Sequence, residues 1–260
     1  MLRMAGGARK WCGVFGILAL ALALSSPSAA AGPELNLLPN TVDIGTFYDG
    51  ATVVIKGTIP QGTNAVVEVV GSEAAVHLLR KGRRAGLWMS VGEIEVTHAP
   101  SLYMLLSSSP KIPELTGKET PWGYAALSRQ VKFRGKLTAG EQGKFFDEFM
   151  GLKKDELLYR LLPGALKTGA PREGQVAISG KLPLPAKVPR GQYQVRLAVV
   201  KDGRLLAQKD TSLTVKMVGF PAWLFTMAQQ QGALYGVLAV VIAIVTGFIM
   251  GVLFKGKTEH

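Results

Sequence analysis

Cysteine is almost absent from this chain of 260 residues: there is one, Cys12. Charge is also scarce, at 18% of residues where soluble domains carry about 25%. Acidic residues are the minority sign, with 18 Asp+Glu against 30 Lys+Arg and a formal net charge of +12. Histidine occurs three times, as His77, His98 and His260. Missing altogether are HExxH, GxSxG, CxxCH, a P-loop and a dinucleotide fingerprint. These absences point away from metalloprotease, hydrolase, attached-haem, nucleotide and thiol chemistry. No catalytic residue, cofactor-binding residue or metal ligand is assigned from the sequence, and no cofactor is expected. The low charge fraction, beside 48% hydrophobic residues, suggests instead that part of the chain lies in lipid.

Two segments carry that suggestion. At the N-terminus, Arg3, Arg9 and Lys10 precede an apolar run from Cys12 to about Leu24, which Ser25, Ser26 and Pro27 end before Ala29-Ala30-Ala31. A basic start, a short apolar stretch and small residues read as a secretory signal peptide over residues 1–31. The run is short of the roughly 20 residues a spanning helix needs. Cleavage would remove Cys12 and leave a body free of thiols.

Toward the other end, Leu234 to Phe254 runs for 21 residues without a charge. At about 1.5 Å per residue this is roughly 31 Å of helix, the thickness of a hydrocarbon core. Lys255 and Lys257 follow, whereas the 17 residues from Met217 to Ala233 hold no Lys or Arg. The positive-inside rule then predicts a cytoplasmic tail, residues 255–260, and a body on the outer side of the membrane. Residues 219–233, with Phe220, Trp223 and Phe225, read as an interfacial lead-in helix. Gly247 and Gly251 form a GxxxG pair inside the span. Such spacing admits a second helix closely, or reflects only the ordinary glycine content of membrane helices.

Residues 32–218 form the expected exported body. Apolar residues alternate in short stretches (51–59, 65–70, 75–79, 102–106, 176–182, 191–200, 205–215), with turn residues every eight to twelve positions. Asp202-Gly203 reads as a two-residue hairpin turn. The fold class expected is mainly β: an antiparallel, immunoglobulin-like β-sandwich plus one C-terminal transmembrane α-helix. Gly191-x-Tyr193-x-Val195 resembles the tyrosine corner of such sandwiches, which makes Tyr193 a structural residue. Between the strand blocks, about 116–167, the period changes. Thr138 and Glu141 suggest a capping box. Phe145, Phe146 and Phe149, then Leu157, Leu158, Leu161 and Leu162, suggest one or two inserted helices.

Within the body, 25 Lys+Arg face 17 Asp+Glu, the chain totals less three cations before residue 32 and two cations and one acid in the tail. Arg80, Lys81, Arg83 and Arg84 form the one dense basic run, predicted at a hairpin tip. It is either a solvated loop or a contact for an anion, a lipid headgroup or a partner's acidic patch. Nucleic acid is not expected, because stacking aromatics are not interleaved with it.

Several motifs occur together: Phe47-x-x-Gly50, Val66-Val-Glu-Val-Val-Gly71, Leu79-Arg-Lys81 with Ala85-Gly86-Leu-Trp88-Met89, Ala99-Pro-x-Leu-Tyr103, Trp122-Gly123-Tyr124, Pro189-x-Gly191-x-Tyr193 and Leu234-Tyr235-Gly236. This order resembles an uncharacterised bacterial family of transmembrane proteins first grouped in alphaproteobacteria, over about residues 35–254. Met89 stands where that pattern has Asn. The resemblance implies a signal peptide, an exported β-rich body and a single C-terminal helix. It also implies an association with membrane transport modules, notably permeases of the sulfite-exporter type. The expectation is therefore a non-enzymatic accessory or scaffold protein, held in the bilayer and docking on an integral membrane complex. The alternative is a periplasmic module that binds anions or lipid headgroups through Arg80–Arg84.

Overall fold

The computed structural model describes residues 32–84, 86–111, 121–135 and 140–255. The expected signal peptide, Thr138 of the expected capping box, and residues 256–260 lie outside them. Residues from Pro33 onward belong to one structural unit.

Two sheets make the sandwich. The first has strand order β1-β3-β11-β10, from β1 (Glu34–Leu38), β3 (Gly50–Pro60), β10 (Lys167–Arg172) and β11 (Gln175–Pro185). The second has order β2-β13-β12-β4-β7-β9, from β2 (Thr41–Ile44), β4 (Asn64–Val70), β7 (Tyr103–Ser107), β9 (Tyr159–Leu162), β12 (Gly191–Lys201) and β13 (Arg204–Met217). Successive side chains of a strand point to opposite faces, and burial follows that period. Along β11, Val176, Ile178, Leu182 and Leu184 are buried between exposed or half-buried neighbours. Val53, Ile55 and Ile59 of β3 complete this face, and it meets Val67, Val69, Val195, Leu197, Leu213 and Val215 of the second sheet. Val195, where disulfide-bearing sandwiches place a cysteine, is fully buried in this core. The fold is an immunoglobulin-like β-sandwich with a helical insertion and an apolar C-terminal helix.

The sandwich is antiparallel as expected, with two parallel pairings at the edges of the second sheet. β2 pairs parallel with β13, and β9 pairs parallel with β7. The first pair arises because the chain switches sheets at Pro39-Asn40, carrying β2 from β1's sheet to the other.

The insertion also departs from the leucine spacing. Among the described residues its helices are α1 (Tyr124–Gln130) and α2 (Glu141–Asp155), and no helix covers Leu157 to Leu162. Leu157 takes φ 60°, its N–H bonds to the Lys154 carbonyl, and the Leu158 N–H bonds to that of Lys153. This is a Schellman ending with leucine where glycine is usual. The chain then leaves α2 as β9. A third sheet, β5 (Glu73–Arg84), β6 (Leu87–Pro100) and β8 (Lys132–Arg134), lies beside the insertion. Edge-on ring pairs join these parts: Tyr103–Tyr159 at 6.2 Å, Phe149–Tyr159 at 5.9 Å and Phe133–Phe149 at 6.4 Å between centroids.

After β13 the chain becomes helical. α3 (Gly219–Gln230) follows Val218, and α4 (Gly232–Lys255) follows Gln231, so each joint is a single residue. The apolar stretch Gly232–Phe254 is 23 residues, contains an 18-residue window of mean hydropathy 2.9, and buries none of that window. At about 1.5 Å per residue it is roughly 35 Å long, enough to cross a bilayer.

Candidate functional site

β5 and β6 form a long antiparallel ribbon whose base, Glu73 opposite Pro100, adjoins Gly71 and Ser101 of the sandwich. Gly71 stands at this junction because a Cβ there would lie 2.2 Å from Ser101 Oγ and 2.9 Å from Tyr193 Cε1. The basic run proves to be the outer end of β5. Arg80 pairs with Gly92, Lys81 with Ser90, Arg83 with Trp88 and Arg84 with Leu87, with a register shift between Arg80 and Lys81. The side chains of Arg80, Lys81 and Arg84 lie outside the described part. Arg83 is exposed, and its Nε donates to the Gly86 carbonyl at 3.4 Å. The turn uses Gly86 at φ 85°, a left-handed conformation glycine adopts without strain.

What the charge pattern did not disclose is the apolar content of the same tip. Trp88 is 74% exposed, Leu87 67%, Leu79 61% and Met89 46%. Further down the ribbon, a groove of about 510 Å³ separates Leu78, Leu79 and Ile94 from Phe145, Phe149 and Leu152 of α2. Strand pairing explains why the sequence concealed this. Residues 87–89 and 94–96 are parts of one 14-residue strand, and the basic end of β5, at Arg83 and Arg84, lies directly opposite Trp88 and Leu87.

His77 Nδ1 lies 2.7 Å from Glu93 Oε1, and His98 Nδ1 lies 2.9 Å from Glu73 Oε2, both at the surface. Among the described residues, no group of three or more His, Cys, Asp or Glu is placed to hold a metal.

One buried carboxylate escaped notice in the sequence. Glu68, inside the apolar strand β4, accepts a hydrogen bond from Tyr103 at 2.8 Å and faces Arg196 Nη1 at 3.3 Å. The Tyr103 oxygen in turn accepts the Gly123 N–H at 2.5 Å, tying the start of α1 to the sheet. Burial lifts the Glu68 carboxyl above the usual carboxylate range, against the opposing pull of Tyr103 and Arg196. Burial likewise pushes the Tyr103 phenol up, helped by the adjacent Glu68 charge. A single Glu between paired valines was the available signal.

Tyr193, fully buried, donates its hydroxyl to the Pro189 carbonyl four residues upstream. Gly247 and Gly251 lie one turn apart on α4, and a Cβ at either would meet nothing within 4 Å.

The family described as "Putative transmembrane protein (Alph_Pro_TM)" matches residues 34–256. The chain belongs to that family. Among the described residues, one apolar helix long enough to span a bilayer lies near the C-terminus, in keeping with that description. Curated proteins yield no match. Among solved structures, murine CRIg aligns with 10% identity over 73% of this chain and 100% of its own, at a TM-score of 0.24, too low for any argument.

Proposed function

We propose that the protein is a non-enzymatic, single-pass accessory subunit, anchored by α4 in a bacterial inner membrane, whose periplasmic body docks on an integral membrane complex of transport type. The observation that carries this reading is the ribbon tip. Leu79, Leu87, Trp88 and Met89 are displayed to solvent on a strand pair that, among the described residues, is supported at its base and flank. Exposed apolar groups grouped this way mark interaction surfaces, and buried tryptophan is a frequent energetic anchor of interfaces. The open glycine face of α4 gives a second contact inside the bilayer. The body's outward orientation rests on the N-terminal leader and on Lys255 and Lys257 after the span.

A photo-crosslinking residue at Trp88 tests the reading in cells. The expected adduct is a single polytopic membrane protein, which also co-purifies in detergent with the unmodified chain. Trp88→Ala should weaken that association by about 2 kcal/mol or more, as at an interface anchor. No adduct at Trp88, together with undiminished co-purification of Trp88→Ala, would overturn it.

The exposed Arg83 beside the Gly86 turn favours one second reading, capture of an anion or lipid headgroup by Arg80–Arg84. Oxyanions should then raise the melting temperature, and the rise should vanish in the Arg83→Ala/Arg84→Ala variant.

A further inference from the structure

We propose that the body is seated directly on the bilayer through a second, non-spanning contact, formed by the turn Gly45–Tyr48 and the open side of α3, with Phe47 inserted at the headgroup–acyl boundary of the leaflet next to the body. The occupant is lipid, and three observations converge on it.

The first is position. Ile44 pairs with Met217, and the Val218 N–H bonds to the Ile44 carbonyl at 3.0 Å, one residue before α3 begins. Phe47 is three residues beyond Ile44, hence within about 11 Å of that point along the chain. The turn therefore lies where the polypeptide leaves the sandwich for the membrane.

The second is geometry. The Tyr48 N–H closes the turn on the Gly45 carbonyl, Tyr48 packs against the core, and Phe47 at the apex is 95% exposed. α3 does not stand away from this end of the body. The Arg190 guanidinium lies 3.7 Å from the Phe225 ring centroid and beside Met217, so the loop before β12 grips the middle of the helix.

The third is chemistry. α3 contains no Asp, Glu, Lys or Arg and has no buried residue, yet it shows Phe220 and Trp223 to the outside with their rings in contact at 5.7 Å. An uncharged helix that exposes Phe220 and Trp223 beside the polar Thr226, Gln229 and Gln230, one residue from a spanning helix, matches a segment lying about 5–10 Å into the interface, where Trp and Phe are favoured. Phe47 extends the same apolar set from a different part of the chain.

The test uses the full chain carrying Cys12→Ser, with single cysteines introduced by Phe47→Cys, Thr46→Cys, Trp223→Cys and Lys201→Cys and labelled with an environment-sensitive fluorophore. Each is reconstituted in vesicles of phosphatidylethanolamine and phosphatidylglycerol containing lipids brominated near the headgroup. Lys201, paired with Arg204 at the far end of β12, reports the water-exposed end. The expected result is blue-shifted emission, quenched by brominated lipid and protected from iodide, at positions 47 and 223. Thr46→Cys keeps Phe47 and should behave in the same way, whereas position 201 should be quenched by iodide alone. Lipid-insensitive emission at both 46 and 47 would overturn the proposal. That holds whether the probes are open to iodide, and so in water, or shielded from it, and so covered by protein.

Discussion

At the scale of single residues, the junction between ribbon and sandwich turns on Gly71 and Tyr193. A methyl group at position 71 would overlap Ser101 Oγ at 2.2 Å, so Gly71→Ala should cost about 1–3 kcal/mol through overpacking, measured by denaturant unfolding. Tyr193→Phe keeps the ring but leaves the Pro189 carbonyl without its donor, and should cost about 1 kcal/mol. Glu68 makes a prediction in pH. Its folded-state pKa is raised, so the folded protein holds the proton more tightly than the unfolded chain does. Its contribution to stability is thus fully present below the ordinary glutamate value and is lost as pH rises through the higher folded-state value. Glu68→Gln cannot titrate there, so the melting temperature of wild type minus that of the variant should fall between acid and neutral pH. The sequence carried the local pattern around Tyr193, because Gly191-x-Tyr193 is a short-range signature. It could not carry the Glu68 cluster, whose partners Tyr103 and Arg196 are 35 and 128 residues away.

Elements were legible where one face is buried and opaque where none is. β11 and β12 alternate and are central, and their period shows directly in the sequence. β10 is exposed at every position and β8 is three residues long, so neither imposes an apolar period. The basic half of β5 looked like a loop because a ribbon free on its outer stretch does not select for alternation. α2 raised the opposite difficulty: leucines at 157, 158, 161 and 162 imitate a helix, and the backbone reversal at Leu157 ends it first. Relieving that residue's left-handed conformation gains about 1–2 kcal/mol, offset in part by about 0.5–1 kcal/mol of glycine's extra unfolded-state freedom. Leu157→Gly, at a half-exposed site, should therefore stabilise the body slightly, seen as a raised denaturant midpoint. On α4, bulky side chains at both glycines (Gly247→Leu/Gly251→Leu) should leave insertion intact and abolish the association carried by the helix, read by co-purification against carbonate-resistant membrane retention.

For the whole molecule, the proposed orientation predicts that a phosphatase active only in the periplasm is silent when fused after His260 and active when placed in the exposed β12–β13 turn at Asp202-Gly203. The reverse pattern would invert the account. Length and apolar content made the C-terminal membrane helix readable without coordinates, because a bilayer imposes a one-dimensional rule on sequence. The ribbon's apolar tip and the turn at Phe47 depend instead on which strands pair, and no local pattern encodes that. The joints at Val218 and Gln231, one residue each, carry a mechanical consequence. With so little slack, the proposed anchor and body would move together as a lever, not as a ball on a string. In the proposed arrangement its heading relative to the membrane normal would be restrained, and its search for the proposed partner would reduce to lateral diffusion plus spin about one axis. Lengthening either joint with glycines would restore free tumbling, and the partner would then meet the ribbon at random angles.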